Sequence, residues 1–500
     1  MILKILKKHK VGSIFSIIQT ILSVVFIALI IMLNALPTQY FLPITIVFVL
    51  LDLLVIATQL TKKLHKVGKV ISCVISILLL ILIPSVYKGY SALNSISGSN
   101  TKIANVSVIV MKDDAAQEIE DTKDYKFGIL ELIDRENTDK TLANINDALD
   151  TEVATTEYTD VLSQVKALYS EEVNCIVLNE TYRTMIEDEE DYKTFSEDTR
   201  IIETVQNEEE VKVSDGVEDI TSDCFSFYIS GIDTEGSIST TSRSDVNIIA
   251  TVNPVTKQIL LTSTPRDYYI PLANTNGVKD KLTHAGNAGV DNSVETLEML
   301  YNIDIDFYGR VNFTGFKKIV DALGGVTVHS DYTFKSDWGP SFVKGDNVVN
   351  GSQALAFARE RHTFSDGDNQ RGKNQQYLIQ AIIEKATSPA ILTGYASLLD
   401  GLSEYFQTNM EMGDITSLVK MQLDDMASWN VVMVNAKGSG GGMEYTYSMP
   451  NVRLSVMYKD EESIQAITKM MNMVIDGEKI SDDTYDSLMN PVVSESPAAQ

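Results

Sequence analysis

Cysteine is scarce, with three in 500 residues: Cys73, Cys175 and Cys224. They fit no metal-ligand spacing, so the chain encodes no zinc module. Cys175 and Cys224 can in principle pair, but a stapled scaffold needs more cysteines, and both read as core residues. Positive charge is short as well. Against 68 Asp and Glu stand 41 Lys and Arg, a formal net charge of −27, and only ten of the 41 are Arg. From Val11 to Leu51 charge is missing altogether, and the first 90 residues contain nine Lys and one acid, Asp52. The remaining 410 residues therefore hold 32 basic and 67 acidic side chains, a net of −35. A body this acidic repels nucleic acid through its overall field, and its length excludes a lone small module.

What the first 90 residues do have is apolar runs. The uncharged stretch is too long for one helix, and Pro37-Thr38-Gln39-Tyr40 reads as a turn inside it. Spans are expected at about 12–35, 41–60 and 70–87, each close to the ~20 residues that cross a ~30 Å hydrocarbon layer. Three successive spans, without an A-x-A site after the first, argue against a cleaved signal peptide. Four Lys precede the first span and four lie between the second and third, whereas the intervening loop has none. That asymmetry predicts a cytoplasmic N-terminus and an extracytoplasmic remainder. Asp52 falls inside the second span, as an acid packed in the bundle or a helix contact.

Beyond the membrane region, 91–104 reads as a linker, 105–222 as a small α/β accessory domain, 223–477 as the main α/β domain and 478–500 as a flexible tail. Residues 105–111 and 173–178 have strand character and 157–172 an amphipathic helical pattern. The acidic stretch 203–223 reads as an interdomain connection. In the main domain, 246–252 and 258–264 flank Asn253-Pro254 as a hairpin. Asn292 and Glu295 have capping-box spacing for a helix through Leu300. Phe313, Phe316, Ile319, Val320 and Leu323 share a helical face that ends at Gly324-Gly325, before a strand at 326–330. Leu378, Ile379, Ile382, Ile383 and Ala386 mark another buried helical face. The glycine run 438–442 lacks a dinucleotide-site context and reads as a loop, and the set Gly367, Gly372, Lys373 and Asn374 departs from a P-loop at its last position.

Five of the ten Arg gather in three short clusters: Arg243, Arg266, and the set Arg359, Arg361 and Arg371. In so acidic a chain a polyanionic ligand gives a reason for them, because guanidinium forks match phosphate oxygens and stay charged at any pH. Surface ion pairs are the competing reading. Acids lie nearby, Asp233, Asp245, Asp267 and Asp368. Mg²⁺ typically uses one or two carboxylates plus substrate phosphates, whereas Asp beside a loop also bonds its own backbone.

The ordered series Arg243-Ser244-Asp245-Val246-Asn247, Ser263-Thr264-Pro265-Arg266-Asp267, Lys281-Leu282-Thr283-His284-Ala285, Gly324-Gly325-Val326, Ala358-Arg359-Glu360-Arg361 and Asp368-x-x-Arg371-Gly372-x-Asn374-Gln375 resembles the LytR-CpsA-Psr (LCP) family. It runs through about 225–477, and the three spans with an accessory domain resemble the streptococcal capsule-associated members. The resemblance implies a mixed-sheet α/β catalytic domain with flanking helices. It also implies an enzyme that moves a polyprenyl-pyrophosphate-linked glycopolymer, here capsular polysaccharide, onto peptidoglycan through a phosphodiester, with Mg²⁺ or Mn²⁺. Carried over by motif, Asp233 and Asp245 hold the metal. Arg243, Arg266, Arg359, Arg361, Arg371 and Gln375 cradle the head group, and the prenyl chain enters an apolar cavity between sheet and helices. Asp368 is the candidate base for the acceptor hydroxyl, or an orienter of Arg371.

Such a transfer builds charge on phosphoryl oxygens, so fixed cations suffice and no Ser-His-Asp or Cys-His set is required. His284 and His362 therefore stay outside the expected mechanism. The implied partners are the lipid-linked glycan, peptidoglycan, the membrane and other capsule-synthesis membrane proteins, with no nucleic acid. Two alternatives remain open at the level of sequence: a sensor that grips the lipid-linked polymer and regulates its synthesis, and a hydrolase that cleaves the pyrophosphate.

Overall fold

The computed structural model describes residues 10–61, 63–98, 100–211, 213–214, 216–232, 238–365, 367–388 and 405–490. Among them, three helices are long and apolar enough to cross a membrane: α1 (Lys10–Leu33), α2 (Thr38–Gln59) and α3 (His65–Ile96). The first two follow the expected spans. The third runs past both ends of its own, so residues 91–96 of the expected linker 91–104 are helix, and 101–104 already belong to a strand. At 32 residues and 1.5 Å per residue, α3 is about 48 Å long, well over a ~30 Å hydrocarbon layer. Its last turns bury Ala92, Leu93 and Ile96 against Phe406, Met412 and Ile415 of the body. Asp52 joins two spans, accepting from Gln19 Nε2 at 2.7 Å and Ser23 Oγ at 3.1 Å.

The next 110 or so residues form a five-stranded sheet of order β3-β2-β4-β1-β5. Its strands are β1 (Thr101–Met111), β2 (Lys126–Leu130), β3 (Ala154–Tyr158), β4 (Cys175–Asn179) and β5 (Thr199–Glu210). Helix α4 (Arg135–Leu149) covers one face and α5 (Val161–Tyr169) the other. Two expectations need correction. The start of the helix predicted at 157–172 belongs to β3, and α5 begins where Asp160 accepts from Ser163 N at 2.9 Å. The acidic stretch from 203 is not all connection, since 203–210 completes β5, paired to β1 along its whole length. Acids suit that position because β5 is an edge strand, and charge keeps an edge solvated and unpaired with other chains.

The main sheet has six strands in the order β16-β11-β6-β7-β8-β17. Strands β6 (Phe225–Ile232), β7 (Ser244–Asn253) and β8 (Gln258–Ser263) form an antiparallel meander, with the expected hairpin at Asn253-Pro254. Small strands β9 (Tyr269–Pro271) and β10 (Lys279–Lys281) precede α6 (Val290–Tyr301). The Asn292 capping box does not form. Gly289 caps α6, and Asn292 lies in its first turn, donating to Ala285 O at 2.8 Å. Strand β11 (Phe307–Asn312) runs parallel to β6 and leads into α7 (Phe313–Ala322). Gly324 and Gly325, at φ +74° and +85°, end that helix as expected, because a left-handed backbone suits residues without a Cβ.

Strands β12 (Val326–Ser330) and β15 (Gly345–Val349) bracket the small ribbon β13 (Phe334–Lys335) and β14 (Ser341–Phe342). Helices α8 (Gly351–Arg359) and α9 (Gly367–Ala386) follow. Gly367, Gly372 and Lys373 are thus helical, which excludes a phosphate-binding P-loop. The apolar side of α9 serves two cores, with Leu378 and Ile382 turned to the α7–α8 layer and Ile379 and Ile383 to the sheet. Edge strand β16 (Phe406–Thr408), helix α10 (Met412–Asp425) and strand β17 (Asn430–Asn435) complete the sheet. The glycine run expected to be a loop is instead part of β18 (Gly438–Tyr445), paired with β19 (Arg453–Lys459). The Tyr458 ring lies where a side chain on Gly442 would stand. Helix α11 (Glu461–Ile475) packs under the sheet, and α12 (Asp482–Met489) replaces part of the expected tail, with Ile480 and Met489 buried. Residues 491–500 lie outside the described residues.

Candidate functional site

The site lies at one end of the main sheet, where β7 begins and β8 and β17 finish. Asp245 and Asn247 enter on β7, Ser263 closes β8, and Asn435 closes β17 opposite Ser263 in the parallel register. The turn after β8 is fixed from both sides. Thr264 N donates to Asn247 O at 2.9 Å, and Thr264 Oγ1 shares a 2.8 Å hydrogen bond with the buried Tyr301 hydroxyl. Helix α9 crosses above. A Cβ on Gly372 would stand 3.0 Å from Ser263 Oγ, a close approach that sets Arg371 and Gln375 over the strand ends.

These elements enclose a polar cleft of about 440 Å³, mouth included, lined by Asp245, Arg266, Asp267, Arg371 and Gln375 among others. Arg266 Nη1 donates to Asp245 Oδ1 at 2.9 Å, an oxygen that also accepts from Thr283 Oγ1 at 3.3 Å. Asp267 lies 2.5 Å from Lys281 Nζ and 3.8 Å from Arg266 Nε. Burial alone pushes the Asp267 carboxyl up, but Lys281, Arg266 and Arg371 overcome it and hold it below the ordinary carboxylate range. The cleft therefore sets two acidic side chains among fixed cations, which suits a ligand carrying phosphate oxygens.

A second cavity adjoins the first through Gln375. It occupies about 560 Å³ with its mouth, between β6, β7 and β11 on one side and α7, α8 and α9 on the other, and it is almost wholly apolar. Ile229, Val246, Val311, Phe316 and Ile379 line it, and Arg359 stands among them. The Arg359 guanidinium is sandwiched between two rings, 3.8 Å from the Trp338 centroid and 4.5 Å from that of Phe313.

Of the residues proposed from sequence, Asp245, Arg266, Arg371 and Gln375 share the polar cleft, and Arg359 stands with Gln375 at the apolar cavity. Arg243 points elsewhere, toward Asp188 of the five-stranded unit at 3.5 Å. Arg361 lines neither cavity, and its Nε donates to His362 Nε2 at 3.2 Å. Asp233 lies outside the described residues. Asp368 is in the first turn of α9, and its side chain is likewise outside the description. His284 is buried, with Asp280 Oδ1 at 2.7 Å and Ser448 Oγ at 3.0 Å both on Nδ1. Because carboxylate and hydroxyl share one ring nitrogen, this is a packing network and no nucleophile relay. Asn369 and Asn435 were missed. Their only signal is position, since Asn435 reaches the cleft by pairing with Ser263, 172 residues earlier in the chain.

The site is thus an α/β sheet with guanidinium groups beside an apolar cavity, and comparisons with known proteins give the family. The LytR_cpsA_psr family model matches residues 189–463, more than half of the chain, and the chain belongs to that family. A relative in Bacillus anthracis (strain CDC 684 / NRRL 3495), named polyisoprenyl-teichoic acid–peptidoglycan teichoic acid transferase TagU, is 36% identical over 208 residues, covering 41% of this chain and 68% of that protein. The Enterococcus faecalis (strain ATCC 700802 / V583) protein of the same name is 34% identical over 223 residues, 44% of this chain and 72% of that one. Among solved structures, Bacillus subtilis TagV is 28% identical with a TM-score of 0.43 over 52% of this chain and 99% of that one. TagT bound to LI-WTA is 26% identical with a TM-score of 0.42, over 53% and 94%.

Proposed function

We propose that the chain is a membrane-anchored, extracytoplasmic glycopolymer transferase. It takes a polymer from a polyprenyl-pyrophosphate carrier and joins it to peptidoglycan through a phosphodiester, and the polymer is capsular polysaccharide. The observation that carries this reading is the shared lining residue Gln375, which joins the guanidinium-lined cleft to the apolar cavity. A prenyl pyrophosphate has that shape, an anionic head on a hydrocarbon chain. The relatives' printed name, a polyisoprenyl-linked teichoic acid transferred to peptidoglycan, supports the reaction class, and the three apolar helices support the anchor.

Arg266 and Arg371 bind the two phosphates and stabilise the charge that grows on their oxygens during transfer. Gln375 orients the bridge to the prenyl chain, and Arg359 guards the cavity. Asp245 suits a divalent cation, because Mg²⁺ takes one or two carboxylates and completes its shell with phosphate oxygens. Asp233 is its proposed partner ligand. Bound there, the ion adds Lewis-acid charge stabilisation. Asp368 is the proposed base for the acceptor hydroxyl.

The test is Arg371→Ala and Arg266→Ala in the producing cell, with wall-bound polymer quantified and protein abundance checked in membranes. Loss of attached polymer at normal abundance is expected. Unchanged attachment in both variants refutes the reading.

A further inference from the structure

A third cleft continues the series. It occupies about 1410 Å³ with its mouth and shares Asn369, Asn435 and Ala436 with the head-group cleft. The three cavities follow the strand order of the main sheet. The apolar one lies on β11, β6 and β7, the head-group cleft on β7, β8 and β17, and the third on β17 and beyond its edge. Helix α9 divides them. Gln375, Leu378 and Ile379 face the apolar cavity, whereas Asn369, Lys373 and Gln376 face the third cleft.

The chemistry of the third cleft differs from its surroundings. Lys373, Lys437 and Lys459 line it with one lining acid, Asp460, in a body that carries 67 acids to 32 bases; Asp331 and Glu461, outside the lining, pair with Lys373 at 2.7 Å and Lys459 at 3.0 Å. Its far wall is built, because Lys437 Nζ donates to Met489 O at 2.5 Å and holds the end of α12 in place. Tyr485 of α12 adds an aromatic surface. At the junction with the head-group cleft, Asn435 donates through Nδ2 to Asn369 O at 3.3 Å, but its buried Oδ1 has no hydrogen-bond partner among the described residues. A buried acceptor left unpaired costs about 1–3 kcal/mol, and an incoming hydroxyl satisfies it.

We propose that this third cleft binds the acceptor, a carbohydrate chain with free hydroxyls and carboxylates, and that Asn435 is the positioning residue for the attacking hydroxyl. The inference rests on the head-group reading above. At phosphorus the attacking and leaving oxygens lie roughly in line. The prenyl phosphate leaves toward the apolar cavity, so the attacking hydroxyl arrives from the opposite side, which is the third cleft. The acceptor oxygen forms a bond to the sugar-bearing phosphorus, the bond from that phosphorus to the bridging oxygen breaks, and prenyl monophosphate departs. The hydroxyl proton passes to Asp368, the base proposed above.

The test uses the full chain in detergent micelles, with a synthetic prenyl-pyrophosphate oligosaccharide as donor and uncross-linked peptidoglycan strands as acceptor. Lysine 459 is reversed in Lys459→Glu and the hydrogen-bond acceptor removed in Asn435→Ala. Each is expected to raise the acceptor KM about five-fold or more while the donor KM stays within about two-fold. A rise in the donor KM instead would place the donor's own glycan in the cleft and overturn the proposal, as would unchanged constants in Lys459→Glu. An inactive wild type would overturn the head-group reading, and this inference with it.

Discussion

Gln376 is tied to Leu261: its Nε2 donates to the Leu261 carbonyl at 2.8 Å and, with its second hydrogen, to Val434 O at 2.8 Å. One buried amide thus pins α9 across β8 and β17, and the residues one position before and five before it, Gln375 and Arg371, inherit their places over the strand ends. Gln376→Leu keeps the bulk and removes both bonds. A loss of about 2 kcal/mol in unfolding free energy is expected, with donor affinity falling further than stability alone explains because Arg371 shifts. Chemical denaturation together with a donor-binding isotherm checks it.

A second prediction concerns pH. Asp134 sits in the left-handed region at φ 53° between α4 and the end of β4, where Asn137 Nδ2 and Asn179 Nδ2 donate to it at 2.6 and 2.7 Å. Burial pushes its carboxyl up to about 6, against the pull of those two amides and with help from Glu209 and Glu136. A pKa raised on folding means that the native state binds the proton more tightly. Its contribution is fully present below the unfolded value near 3.8 and is lost as pH rises to about 6. Asp134→Asn, which tolerates the same backbone, is expected to leave stability unchanged near pH 4. Above pH 6 it raises it, by on the order of 2 kcal/mol. Paired denaturation curves at the two pH values decide this, and a gain of equal size at both would sink it.

The architecture was legible where periodicity and turn chemistry act locally. Gly324-Gly325 ended α7, Asn253-Pro254 marked the hairpin, and the apolar runs gave the spans. Acidic and glycine-rich segments misled, because β5 and β18 take their conformation from partners elsewhere in the chain: β5 from β1, β18 from β19. Composition reports solvation, and an edge strand is as solvated as a linker. In the site, Arg266 and Arg371 were legible from an ordered set of motifs. The diversion of Arg243 to Asp188 was not, since it depends on where the five-stranded unit docks, and neither was Asn435.

The ring sandwich around Arg359 yields a third prediction. Trp338 is 54% exposed, so little of its contribution comes from burial. It holds the guanidinium at the cavity mouth through a cation–π contact of roughly 1 kcal/mol. Trp338→Ala is expected to change global stability by less than about 1 kcal/mol yet to raise the donor KM several-fold, because Arg359 loses its fixed position beside the prenyl chain. Trp338→Phe keeps a ring face and is expected to recover most of the loss. Equal donor KM values in wild type and Trp338→Ala would show that the clamp plays no part in lipid binding.

The anchor and the body are packed together as well as covalently joined. Leu93, fully buried near the end of α3, packs with Ala92 and Ile96 against Phe406, Met412 and Ile415. Polar contacts flank them: Gln39 Nε2 donates to Asp424 Oδ1 at 3.0 Å, and Lys420 Nζ to Asn34 Oδ1 at 2.5 Å. On the proposed function, such a joint sets the height and orientation of the body over the membrane, and with it the approach of the apolar cavity to a lipid-borne donor. Leu93→Ala removes buried methyl groups at a cost of about 2–4 kcal/mol, and that cost falls mainly on the joint, since among the described residues Leu93 belongs to the small cluster with Ala92 and Ile96, which meets the main sheet's core only through Ile415. The expected signature in membranes is faster proteolytic release of the body from the three spans, with an unchanged melting temperature for the released fragment. Transfer from a membrane-borne donor drops, whereas transfer from a short-chain soluble donor is retained. Equal losses with both donors would show that Leu93 supports the fold of the body and not its placement.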